Sequence, residues 1–67
     1  MLMNIEAERA RKGQNKEDFS KNLGVSLKTY YNWVSEKTPI PSTFLLKMSR
    51  SLGVTMEYLL ESYDERK

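Results

Sequence analysis

Gly24 divides the stretch Lys16 to Trp33, KEDFSKNLGVSLKTYYNW, into two short runs that each read as a helix. Phe19 and Leu23 are four residues apart on the first run. Tyr30 and Trp33 are three apart on the second, with Val25 just past the glycine, so each run offers one apolar face. The two faces must meet. Gly24 is the residue best able to adopt the left-handed conformation that ends a helix. Ser26 stands where a hydroxyl caps the next helix by accepting a hydrogen bond from a backbone N–H that lacks a helical partner. With Phe19, Leu23, Tyr30 and Trp33 turned inward, Leu27, Lys28, Thr29, Tyr31 and Asn32 face outward on the second helix, which is thereby presented for contact.

A chain of 67 residues makes one small domain over 1–67, near the lower end of what a single core stabilises without a disulfide or metal. An ordered core is expected over about 3–62, followed by a charged tail at 63–67. The sequence has neither cysteine nor histidine, which excludes disulfides and thiolate or imidazole metal sites. No cofactor is expected, and the expected compartment is the cytoplasm, where disulfides do not persist. Apolar runs such as Phe44-Leu45-Leu46 are far shorter than the roughly 20 residues of a membrane span. Met1 to Ile5 lacks the basic start and long apolar stretch of a signal peptide. The net charge of +2 is modest, but its placement is informative. No Asp or Glu occurs from Phe19 to Ser35, where Lys21 and Lys28 fall, while the acids collect earlier and at the tail. A basic patch on the presented helix suits a polyanion.

The periodicity predicts a first helix from about Leu2 to Lys12, with Leu2, Ile5 and the stem of Arg9 on one face, stopping at Gly13. Arg11 and Lys12 lie in its last turn, where cations favour the negative end of the helix dipole. The second helix has Asn15 as its cap and Glu17 and Asp18 in its first turn. Lys16 goes against that preference: a cation there is disfavoured by a few tenths of a kcal/mol, which a bound phosphate would offset, or the residue is incidental. Two prolines end the third helix by about Thr38. The fourth begins near Pro41 or Ser42 and carries Phe44, Leu45, Met48 and Leu52 up to Gly53. Thr55 caps a fifth helix whose apolar residues are Met56, Leu59 and Leu60. No strand pattern is present. The echo between Leu23-Gly24-Val25-Ser26 and Leu52-Gly53-Val54-Thr55 reflects one way of joining two helices.

Three features together resemble the Cro and phage-repressor type of helix-turn-helix transcriptional regulator, over about Ile5 to Leu60. They are Phe19-Ser20 with Leu23-Gly24-Val25-Ser26 and Tyr30 to Trp33, the loop Lys37 to Pro41, and Leu52-Gly53-Val54-Thr55 with Tyr58-Leu59-Leu60. The resemblance implies an all-α, compact five-helix bundle that sets its third helix, about 26–34, in the DNA major groove. It implies phosphate or base-edge contact at Lys16, outward recognition residues at Ser26, Leu27, Lys28, Thr29 and Asn32, and a backbone-contacting loop at Lys37 and Thr38; the capping Asn15 is expected in the same DNA-binding set. Many relatives carry Gln at the position of Lys16 and Ala at that of Ser20. An Arg in the first helix often pairs with a Glu just after the recognition helix. Here Arg9 faces Val34, which leaves Glu36 or no partner for it.

The presented residues suit bases on chemical grounds as well. Asn bonds the adenine N6 and N7 edge, Lys donates to guanine O6 and N7, and Leu or a Thr methyl packs on thymine methyl. The bland alternative is a solvated surface with one exposed leucine. Tyr31 either donates its hydroxyl to a phosphate or covers the side of the bundle. Because one short helix supplies few base contacts, the expected species on DNA is a two-fold homodimer on a symmetric double-stranded operator, weak in free solution. Its surface is expected at Met56, Tyr58, Leu59 and Tyr63 with Phe44 beside them, unless Leu59 and Leu60 merely close the core. A repressor of phage or small-regulator type is the expected function. The rival class is a helical protein-interaction module, antitoxin-like, whose binding would ignore salt and competing nucleic acid. An enzyme ranks last: without His or Cys the usual base and nucleophile are missing.

Overall fold

The order of elements follows from where helix-stopping residues fall. In the computed structural model, which describes residues 1–61, five helices succeed one another: α1 Met3–Arg11, α2 Lys16–Leu23, α3 Leu27–Val34, α4 Ser42–Leu52 and α5 Met56–Leu60. No strand occurs among the described residues. The start of α1 is held from the far side of the bundle, where the Leu2 N–H donates to the Val34 carbonyl at 2.8 Å and closes the end of α3.

The two Leu-Gly-Val segments are the same joint built twice. Gly24 and Gly53 take φ of 85° and 72°, a region that side-chain-bearing residues rarely enter. The next residue then reaches back, Val25 N–H to the Ser20 carbonyl at 3.0 Å and Val54 N–H to the Ser49 carbonyl at 3.2 Å. Ser26 and Thr55 complete the joints by accepting from Thr29 N–H and Tyr58 N–H, each at 3.1 Å. Such caps are worth about 1 kcal/mol each, which matters in helices of eight and five residues.

The core draws on every helix. Ile5, Phe19, Tyr30, Met48, Leu52 and Leu59 are fully buried, with Leu2, Leu23, Trp33, Val34 and Leu45 nearly so. α1 packs on α3 and α5, α2 on α3 and α4, and α4 on α5. A T-shaped contact between the Phe19 and Tyr30 rings, 5.7 Å between centroids, locks α2 to α3. Trp33 and Phe44 lie 5.2 Å apart and do the same for α3 and α4.

Several expectations are corrected here. Leu59 is wholly inside, because α5 is five residues long and must spend its best apolar side chain on closing the bundle. It therefore belongs to the core and is removed from any dimer surface. Tyr58 is half-buried with its hydroxyl donated to Glu8 at 3.2 Å, and Phe44 is half-buried against Trp33. Met56 and Leu60 are the exposed apolar residues of α5. Tyr63, the remaining member of the expected surface, lies outside the described residues. Asn4, absent from the predicted buried face of α1, is buried, and its amide donates to the Tyr58 carbonyl at 2.8 Å. The last carbonyls of a helix need donors from outside it, and Asn4 supplies one to α5. Ser20 is accommodated in the core because its hydroxyl donates back to the Lys16 carbonyl at 2.7 Å.

Candidate nucleic-acid interface

α3 owes its direction to what it buries. Tyr30, Trp33 and Val34 are the inward residues, and the Ser26 hydroxyl fixes the first turn by accepting from Thr29 N–H and donating to Thr29 Oγ1 at 3.0 Å. Lys28 and Tyr31 are consequently exposed, while Thr29 and Asn32 are half-buried along the edges of the outward face. No hydrogen bond or ion pair reaches the side chain of Lys28 or Asn32 among the described residues. Leu27 departs from its expected outward position: it is half-buried and packs against the core cluster, as an apolar side chain one turn from Tyr31 does when a core edge is within reach.

The loop after α3 is folded onto the end of the helix. The Asn32 carbonyl accepts from Lys37 N–H at 2.9 Å, Thr38 N–H at 3.2 Å and the Ser35 hydroxyl at 3.3 Å. Lys37 and Thr38 are thereby held beside the C-terminal end of α3 with their side chains exposed. Glu36 makes the reversal with φ of 67°, and its carboxylate pairs with the Met1 ammonium.

At the opposite end of the face, Asn15 caps α2 by accepting from Asp18 N–H at 2.7 Å, so its side chain is engaged within the protein. Lys16 reaches inward across the helix pair. Its ammonium lies 4.0 Å from Glu6 Oε1 and 5.2 Å from the centroid of the Tyr31 ring. This position accounts for a lysine where the helix dipole disfavours one.

Behind Lys16 stands a network that the sequence reading missed. Arg9 donates to Glu6 Oε1 at 2.9 Å and to the Gln14 carbonyl, and the buried Tyr30 hydroxyl donates to Glu6 Oε2 at 2.6 Å. Arg9 therefore finds its acid within α1, and Glu36 is not its partner. The Glu6 and Arg9 spacing of three on one helix was a readable signal. The link to Tyr30 was not, because it joins residues 24 apart in sequence. Burial by itself would raise the Glu6 carboxyl, but the hydrogen bonds from Tyr30 and Arg9 and the charges of Arg9 and Lys16 outweigh it and hold the group below its ordinary value. Burial first, and then Glu6, push the Tyr30 hydroxyl upward, so it stays a donor. Glu8 is held low chiefly by its hydrogen bond from Arg11.

The face so formed has cations at both ends and no carboxylate between residues 19 and 35. A helix-turn-helix family model matches residues 5–59, from within α1 to within α5. The chain belongs to the Cro and phage-repressor type of helix-turn-helix family. No curated protein and no solved structure matches it. This helix-turn-helix chain is in general terms a DNA-binding transcription regulator, in a family that is not enzymatic. α2 and α3, joined at Gly24, are its helix-turn-helix. No helix among the described residues is long and apolar enough to cross a membrane.

Proposed function

We propose that the chain binds double-stranded DNA in a sequence-specific way, with α3 in the major groove, and acts in the cytoplasm as a repressor of phage or small-regulator type. The observation that carries this reading is the orientation of α3: Tyr30 and Trp33 are spent on the core while Lys28 and Asn32 stand outside in a stretch without acids. Lys28 suits guanine and Asn32 suits adenine. Leu27 and Thr29, being half-buried, contribute the edge of the same surface with their methyl groups. Lys16 at one end and Lys37 and Thr38 at the other serve the phosphate backbone, which fixes register without carrying sequence information. Asn15 and Ser26 act there through the helix ends they cap, whose remaining N–H groups favour anions.

Eight residues of α3 give too few base contacts to single out one site in a genome, so two protomers are required on half-sites about 34 Å apart. Met56 and Leu60, 37% and 49% exposed and one turn apart on α5, replace Leu59 as the apolar residues available for that contact. So small a patch supports only weak association without DNA. Selection of random duplexes by the purified protein tests the reading. A two-fold symmetric consensus is the expected outcome. Failure to enrich any duplex, together with salt-insensitive binding of a protein partner, would place the chain among helical interaction modules instead.

A further inference from the structure

The Lys16 ammonium is held between two helices other than its own. Glu6 on α1 lies behind it at 4.0 Å, too far for a hydrogen bond, so the attraction is that of charge alone. The Tyr31 ring on α3 lies under it at 5.2 Å, within the range of a cation–π contact. Glu6 is already satisfied by Arg9 at 2.9 Å and Tyr30 at 2.6 Å and does not draw the lysine into a short pair. One carboxylate against the two cations Arg9 and Lys16 leaves the cluster net positive, so an arriving phosphate is not repelled. Leu27, one turn before Tyr31, has no polar group with which to hold Lys16, and it turns toward the core. Tyr31 is 47% exposed and outside the core cluster, so burial alone does not explain an aromatic residue there.

We propose that Tyr31 is a positioning residue: its ring, with Glu6 behind, pre-sets the Lys16 ammonium for one DNA phosphate and so ties the end of α2 to the recognition helix. This rests on the DNA-binding reading above and gives Tyr31 a role distinct from direct donation by its hydroxyl. A lysine side chain immobilised on binding loses rotamer freedom, and a ring that has already restricted it reduces that loss. Removing the ring should weaken binding about two- to tenfold at fixed salt. The number of phosphates neutralised would not change, so the dependence of log affinity on log salt keeps its slope.

The test uses the full chain, the duplex recovered by selection, and a scrambled duplex. Tyr31→Leu should lose affinity for both duplexes with an unchanged salt slope, whereas Tyr31→Phe should match the native chain. Lys16→Ala should lose affinity and lower the slope by about one unit. In the Lys16→Ala background, Tyr31→Leu should have no further effect. In the free protein, proton NMR should show a ring-current shift of the Lys16 ε-methylene that survives in Tyr31→Phe and vanishes in Tyr31→Leu. Equal loss in Tyr31→Phe and Tyr31→Leu would assign the contact to the hydroxyl, and equal cost of Tyr31→Leu in both backgrounds would separate it from Lys16. Either result overturns the proposal, as does absence of the shift. If the shift is present but selection recovers no duplex, the DNA-binding reading itself has failed.

Discussion

Removing one oxygen from the core tests the Glu6 network directly. Tyr30→Phe keeps the ring, its full burial and its edge contact with Phe19, and deletes only the hydroxyl that donates to Glu6 at 2.6 Å. Hydrogen bonds to charged groups contribute about 1.5 to 3 kcal/mol. The lower part of that range applies here, because Glu6 keeps Arg9 at 2.9 Å and its side chain retains 18% exposure through which water enters. The loss at neutral pH should thus be about 1.5 to 2 kcal/mol, and for a domain of this size about 6 to 16 °C in Tm. The pH dependence carries the sharper test. Glu6 is held below its ordinary value in the folded chain, so its contribution is complete above that value of 4.5 and is lost as pH falls through the lower folded value. Without the Tyr30 donor that depression shrinks, and the native and variant stabilities should converge on acidification. Urea unfolding followed by fluorescence of Trp33, at about pH 7 and again at about pH 3.5, measures both quantities. A Tyr30→Phe protein within about 0.3 kcal/mol of native at neutral pH, or a difference that stays constant down to the acid condition, would refute the reasoning.

Trp33→Ala, at a residue 5% exposed against Phe44, should destabilise by about 3 to 5 kcal/mol and abolish DNA binding with the fold; unchanged thermal melting would mean the faces of α3 are reversed. Lys28→Ala and Asn32→Ala should each weaken the preferred site by about 1 to 3 kcal/mol and relax preference there, as measured by competition between duplexes. Lys37→Ala should weaken all duplexes alike and reduce the salt slope by about one unit, as titrations at several salt concentrations would show. Leu60→Asp and Met56→Asp should leave melting close to native, both residues being exposed, yet reduce two protomers per duplex to one in sedimentation; undiminished pairing would move the dimer surface elsewhere.

The helices and their joints were legible in the sequence because they rest on local chemistry. A glycine followed by a capping hydroxyl acts within a few residues of itself, so Gly24 with Ser26 and Gly53 with Thr55 announced their turns without reference to the rest of the chain. The inward faces of α2 and α3 were equally plain from the spacing of Phe19, Leu23, Tyr30 and Trp33. Periodicity assigns a residue to a side of a helix, but it does not say how much of that side a neighbour covers. That is why Leu27 drew inward to the core edge and why Leu59, rather than Leu60, became the residue that closes the bundle. The polar links lay further still from local reading. Asn4 reaching the Tyr58 carbonyl, Tyr30 reaching Glu6, and Lys16 seated between Glu6 and Tyr31 all join different helices. Such pairings depend on the distances between helices once packed, which no spacing along one helix encodes. The sequence by itself determined the five helices, their order and the side of α3 that turns away from the core. Only the tertiary structure decided which buried polar groups find one another, and hence how the lysine at the start of α2 is aimed.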